Sequence, residues 1–176
     1  FCVYDPIFSS EHNMSLPILK DLGEIFSTRT RKEALLGLVA GYMLVQLSSL
    51  PIALALPSLS VYFNTSIENT AWVVIIYLLV LGSLVLLAAR LGDRLGHTKI
   101  FVAGIVASTI GAILIALAQD LWQIVVWRGF TALGSALIMG NSNAILAANF
   151  APKERGRAFA IPITGARFGT LIGLAV

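Results

Sequence analysis

The sequence predicts an all-α, polytopic membrane helix bundle: five transmembrane helices within residues 34–176, behind an N-terminal tail of residues 1–33. Three observations predict it. First, 57% of the 176 residues are apolar, 12% are charged and the mean hydropathy is +0.87, whereas a soluble domain carries about 25% charged and about 45–50% apolar residues. Second, the apolar residues gather in five runs, each near the roughly 20 residues that cross a bilayer core as a helix. Third, nine of the 12 Lys and Arg residues cluster before the first run and at alternate connections between the runs. Such a composition excludes a secreted disulfide scaffold, a disordered tail and an ordinary cytosolic enzyme. The single Cys, Cys2, allows no intrachain disulfide.

The tail comes first. Phe1–Asn13 lacks an initiating Met and Met14 is a plausible start, so the leading residues are expected to be upstream or fragment sequence. Ile18, Leu19, Leu22, Ile25 and Phe26 fall on one helical face, as in a short helix lying on a membrane surface. A disordered tail is the alternative.

The first span is expected over about Ala34–Leu56, the second over Ala71–Ala89 and the third over Ile100–Ala118. The fourth covers Leu121–Leu146 and the fifth Ala158–Val176. They must be helices, because backbone groups in lipid have no water partner and each segment has to satisfy its own. Strands would show in/out alternation, and Val73–Leu87 has none. Arg29, Arg31 and Lys32 precede the first span; Arg90, Arg94 and Lys99 lie between the second and third; Lys153, Arg155 and Arg157 lie between the fourth and fifth. The intervening connections, Pro57–Thr70 and Gln119–Asp120, carry no basic residue. The positive-inside rule then places the N-terminus and both basic connections in the cytoplasm of a multi-pass cell-membrane protein. A nucleic-acid partner is not expected, since that needs a contiguous basic face. Trp72, Tyr77, Trp122 and Trp127 sit near the opposite ends of their spans and read as interfacial anchors.

Inside the spans, Arg128 lies about seven residues into the fourth, roughly 10 Å deep, and Arg167 about nine residues into the fifth. A charge at mid-membrane costs at least about 2.5–3.5 kcal/mol and normally faces a bundle interior or a water-filled cavity. Each arginine is part of a substrate or proton path, a structural residue held by backbone carbonyls, or the mark of a span edge that lies elsewhere than drawn. Asn141 and Asn143 near the end of the fourth span either line a cavity or belong to a solvated helix end. Small residues recur every four positions: Gly165, Gly169 and Gly173; Ala132, Ala136 and Gly140; Gly104, Ser108 and Ala112. These stripes predict close helix packing, the main source of helix association in lipid. Arg167 lies opposite the glycine stripe on its helix.

Between the second and third spans the chain reads Ala89-Arg90-Leu91-Gly92-Asp93-Arg94-Leu95-Gly96-His97-Thr98-Lys99. About ten residues predict a tight turn. Gly92 and Gly96 permit backbone angles that other residues resist, and Asp93, Arg94 and Lys99 can pair with helix termini or opposite charges. The pattern suits a clasp between moving parts better than a catalytic centre.

This run resembles the signature loop of the major facilitator superfamily, G-x-L-(A/G)-D-R-x-G-R-(R/K)-(R/K). Leu91, Gly92, Asp93, Arg94, Gly96 and Lys99 match, while Ala89, His97 and Thr98 depart. Arg128-Gly129-Phe130-Thr131-Ala132-Leu133-Gly134-Ser135-Ala136 resembles the fourth-helix motif R-x-x-Q-G-x-G-A-A, matching at Arg128, Gly134 and Ala136. Glu154–Ala158 resembles the family's lead-in to its fifth helix. Gly169–Gly173 resembles the start of the antiporter motif G-x-x-x-G-P-x-x-G-G, with Leu174 in place of Pro. Leu47–Pro57 is similar to the first-helix L-D-x-T-I-V-N-V-A-L-P of the fourteen-helix drug:proton antiporters, with Ser48 in place of Asp, and Trp72 and Tyr77 fit that branch's W-V-V-x-x-Y. The resemblance covers about residues 34–176.

What the resemblance implies is a secondary active carrier of small solutes, a proton-coupled, multidrug-like exporter. Its fold has six helices per half with substrate at the midplane between halves. The chain would supply five of the first six and be inactive without the rest, including the whole C-terminal half. Asp93 and Arg94 would lock the cytoplasmic side to that half, and Arg128 would couple protonation to helix movement. The alternative is a non-transporting receptor or assembly subunit on the same fold. An enzyme is not expected: His12, His97 and Cys2 make no nucleophile, acid–base pair or metal cluster, and the sequence suggests no cofactor.

Overall fold

In the structure, a computed structural model, residues 29–175 are described. The amphipathic stretch Ile18–Phe26 and the rest of the tail to residue 28 lie outside them. Five helices follow one another: α1 (Arg29–Tyr62), α2 (Ile67–Leu95), α3 (His97–Ala116), α4 (Leu121–Asn149) and α5 (Arg155–Ala175). The shortest has 20 residues, about 30 Å at 1.5 Å per residue, enough to match a bilayer core. By length and composition α1 to α4 can each cross a membrane. α5 has 21 residues, carries three arginines and lies along α1.

The helices outrun the apolar stretches that announced them. The expected first span ended at Leu56, and α1 continues to Tyr62. The larger correction concerns Ala89–Lys99, expected as a turn of about ten residues. α2 runs on through Leu95, α3 starts at His97, and Gly96 alone joins them. Hydropathy marks where lipid ends, not where hydrogen bonding ends, and a helix entering the polar interface keeps its backbone paired. The bend falls at Gly96, whose φ of 98° lies in the region that favours glycine. Its N–H donates to the Gly92 carbonyl at 2.8 Å and closes α2. At the other end of α2, Ser66 caps the helix by accepting from Asn69 N, and Glu68 sits in the first turn, where a negative charge complements the helix dipole.

The remaining connections are also short, so successive helices run antiparallel, though α5 leaves α4 and packs on α1 instead. α4 is the centre of the bundle. More than half of its apolar window is buried, against about a fifth for α1, α2 and α3. It packs most extensively on α3 and α2, while α1 pairs with α5. The contact between α3 and α4 is backbone-close: a Cβ added at Gly134 would stand 2.6 Å from Ser108 N, and one at Gly104 would stand 2.8 Å from the Gly134 carbonyl. The buried stripe on α3 is Gly104, Ser108 and Gly111, and Ala112, expected in it, is exposed. At 3.6 residues per turn a strict four-residue repeat drifts around the helix, and the third contact returns to position 111. The stripe Ala132, Ala136 and Gly140 faces inward as expected, with Gly140 against the α2 backbone at Val85 and Ala89.

Two apolar clusters hold the ends. At the end bearing the basic residues, Leu35, Leu38, Val45, Phe101, Ile138, Ile145, Leu146, Phe150 and Ala158 join α1, α3, α4 and α5. At the opposite end, Val73, Leu121, Ile124 and Val125 pack with Ile52, Leu59 and Phe63. Leu78, Leu79, Leu86, Val102, Val106, Ile110, Trp122 and Val126 are exposed on the outside of the bundle. In water such a surface would be an aggregation hazard; in hydrocarbon it is the expected covering.

Candidate functional site

Two clusters of polar side chains lie within this frame. The deeper one surrounds Arg128, about two turns into α4 and 1% exposed. One of its terminal nitrogens, Nη2, donates to the backbone carbonyl of Ser48 on α1. Its Cζ lies 4.8 Å from the centroid of the Tyr77 ring on α2, a distance at which the ring face attracts a cation. Tyr77 is 3% exposed, and its hydroxyl is 3.3 Å from Ser49 Oγ, which itself donates to the Val45 carbonyl at 2.8 Å. Arg128 therefore ties α1, α2 and α4 together. Its Nε and Nη1 are buried with no hydrogen-bond partner. These two nitrogens point to different sides of the guanidinium, so each is left as a separate charged donor rather than as one fork. Tyr77, expected as an interfacial anchor, belongs to this cluster instead. Trp72 and Trp122 are exposed near the same end, as anchors are.

The second cluster lies at the basic end, where α2, α3 and α4 meet. Asn141 is fully buried on α4. Its Nδ2 donates to the carbonyls of Ala88 on α2 at 3.0 Å and Leu137 at 2.9 Å. Its Oδ1 lies 2.8 Å from Nδ1 of His97, the first residue of α3. The other imidazole nitrogen, Nε2, lies 3.3 Å from Asp93 Oδ1 on the last turn of α2. Gly92 makes room for this arrangement: a Cβ there would stand 1.6 Å from Asn141 Oδ1 and 2.4 Å from His97 Nδ1. Its backbone is helical, so the glycine serves close approach rather than the unusual angles expected of it.

Asn141 is fully buried rather than at a solvated helix end; a buried amide in an apolar contact must find partners on the facing helices, and it finds them. Asn143, two residues on, is exposed. Arg94 and Lys99 are exposed beside the clasp, and Asp93 has 70% of its side chain exposed. Arg167 is exposed on α5. Gly165 packs against Val39 of α1, where a Cβ would come within 2.7 Å of Cγ1; the surroundings of Gly169 and Gly173 lie outside the described residues. Nearby, Gln46 Nε2 donates to Thr170 Oγ1 at 3.5 Å, a second tie between α1 and α5.

The lead-in to α5 has a task that its sequence did not announce. Arg155 donates through Nε to the Phe150 carbonyl and through Nη2 to the Ala147 carbonyl, at 3.2 and 3.0 Å. These are acceptors that the end of α4 leaves without helical partners. Glu154 lies 3.6 Å from Arg31 of α1, whose guanidinium is 5.6 Å from the Phe150 ring centroid. Among the described residues no group of three or more His, Cys, Asp or Glu side chains is placed to hold a metal.

A bundle of long apolar helices with a buried arginine at its centre and a polar clasp at one end defines a multi-pass membrane protein. Comparison with known proteins places it further. The family model described as Major Facilitator Superfamily matches residues 38–176, and the chain belongs to that family. It is 35% identical over 120 residues to the uncharacterized MFS-type transporter YvkA of Bacillus subtilis (strain 168), covering 68% of this chain and 27% of that protein. It is 33% identical over 134 residues to the major facilitator superfamily multidrug transporter mfsC of Aspergillus fumigatus, covering 76% and 26%. It is 30% identical over 146 residues to the multidrug resistance protein Stp of Mycobacterium tuberculosis (strain CDC 1551 / Oshkosh), covering 82% and 27%. The chain thus spans about a quarter of the length of these relatives.

Proposed function

We propose that the chain is the N-terminal part of a secondary active transporter of small solutes, a proton-coupled exporter of the multidrug kind. The observation that carries this reading is Arg128: a buried cation, held by one carbonyl and one aromatic face, with Nε and Nη1 left unpaired between three helices. A charge so placed marks a path for ions or substrate in a membrane protein. Multidrug transport and multidrug resistance are what the names of mfsC and Stp state of those proteins, and drugs enter here as the substrate class to test first.

The five acidic residues within the described region, Glu33, Glu68, Asp93, Asp120 and Glu154, all lie at or beside helix ends. The carboxylate that carries the proton therefore belongs to the remainder of the full-length carrier, where it pairs with Arg128 when ionised and releases it when protonated. The basic end is cytoplasmic, and there Asp93 and Arg94 engage the other half when the carrier opens outward. Residues 34–176 act as one bundle that requires that half.

The test uses the full-length carrier in proteoliposomes with an imposed proton gradient and a panel of cationic and neutral drugs. Gradient-driven flux in the wild type, lost in Asp93→Asn and Arg128→Ala while both variants still insert, supports the reading. Normal pumping by both variants overturns the clasp and coupling roles. Absence of flux in the wild type, with ligand binding retained, points instead to a non-transporting receptor.

A further inference from the structure

The clasp at the basic end contains an imidazole whose two nitrogens face different partners. The amide of Asn141 has a fixed orientation, because its Nδ2 faces two backbone carbonyls, which only accept. Its Oδ1 is consequently an acceptor, and His97 Nδ1 at 2.8 Å must carry the hydrogen. A neutral imidazole has one N–H, so its Nε2 then turns a lone pair toward the Asp93 carboxylate 3.3 Å away. A second proton converts that lone pair into a donor and that contact into an ion pair.

We infer that His97 is a proton-responsive link in the clasp: charged, it bridges Asp93 on α2 to Asn141 on α4, and neutral, it holds Asn141 alone. Histidine is the side chain that changes charge near physiological pH. The direction follows from the geometry. The bridge is complete only with both ring nitrogens protonated and is lost when the Nε2 proton leaves.

The other charges at this end have been placed as follows. α2 contributes Arg90, Asp93 and Arg94, with Asp93 the one in contact. α3 contributes exposed Lys99. α4 offers no charge here, as Arg128 is its single ionisable residue and lies three turns away. α1 contributes Arg31, Lys32 and Glu33; Arg31 lies against Glu154, and Glu33 shares with Thr98 the rim of an apolar cavity of about 310 Å³ between α1, α3 and α4. The effect of the bridge on transport rests on the clasp reading above; the bridge itself does not.

Hydrogen exchange of the full-length carrier in proteoliposomes tests the bridge, read on peptides covering residues 92–100 at pH 6 and pH 8 after correction for intrinsic exchange. In the wild type, protection at pH 6 should exceed that at pH 8 by roughly fivefold, the scale of a partly exposed ion pair. His97→Gln keeps a donor for Asn141 without a titrating charge and should abolish the difference. His97→Arg, charged throughout, should also abolish it, and it decides the matter if His97→Gln fails to insert. Equal protection at both pH values in the wild type, or an undiminished difference in either variant, overturns the inference. An Asp93→Asn carrier that pumps normally would overturn the clasp reading and leave the exchange result standing.

Discussion

At Arg128 the cost of a charge in the membrane interior and the means of offsetting it are both visible. One carbonyl and one ring are thin compensation, and these two contacts, not the leftover donors, tie the three helices together. Arg128→Lys keeps the charge but loses the guanidinium, so it should insert normally and lose most of the transport rate; flux per inserted carrier checks this. Gly92 shows a different constraint. A methyl group there would overlap Asn141 and His97, so Gly92→Ala should destabilise the full-length carrier by about 1–3 kcal/mol, seen as a lower midpoint in thermal unfolding in detergent. Asn141→Leu removes the donor to Ala88 and should cost about 1 kcal/mol, near the modest value typical of interhelical hydrogen bonds in lipid. None of these couplings was legible residue by residue. Arg128 announced itself as a charge in an apolar run, but Tyr77 looked like any aromatic near a span end. His97 showed only as a departure from an arginine, and its tie to Asn141 spans 44 positions of sequence.

Among the helices, number and order were legible because the apolar runs are long and separated, and the alternation of basic connections gave a second count. Boundaries were less so, since α1 and α2 extend into polar sequence where hydropathy is silent. Packing was legible in part. The four-residue stripe on α4 holds, whereas on α3 the helical period moves the third contact from Ala112 to Gly111. The α3–α4 contact admits no side chain at Gly134, and Gly134→Leu should separate the two helices. A lower midpoint of thermal unfolding of the full-length protein in detergent would report it. Replacement of Ala112 by Leu at the exposed position on the same helix should leave that midpoint unchanged.

For the molecule as a whole, orientation and dependence on the remaining chain are the matters to test. Cysteines placed singly at exposed Ser66 and Lys99, in a carrier otherwise free of reactive thiols, should label from opposite sides of intact cells with an impermeant reagent, Ser66 from outside. Labelling of both from one side would break the alternation read from the basic clusters. The exposed apolar faces of α2, α3 and α5 have two possible coverings in the complete protein, lipid and the other half. The sequence leaves that choice open because both coverings demand the same residue types.

The single glycine between α2 and α3 has a mechanical consequence. A joint one residue long leaves two rods of 29 and 20 residues no slack to slide past each other, so they travel as one crank. Any bending of that crank against α1 and α4 then falls on the connections at 63–66 and 117–120.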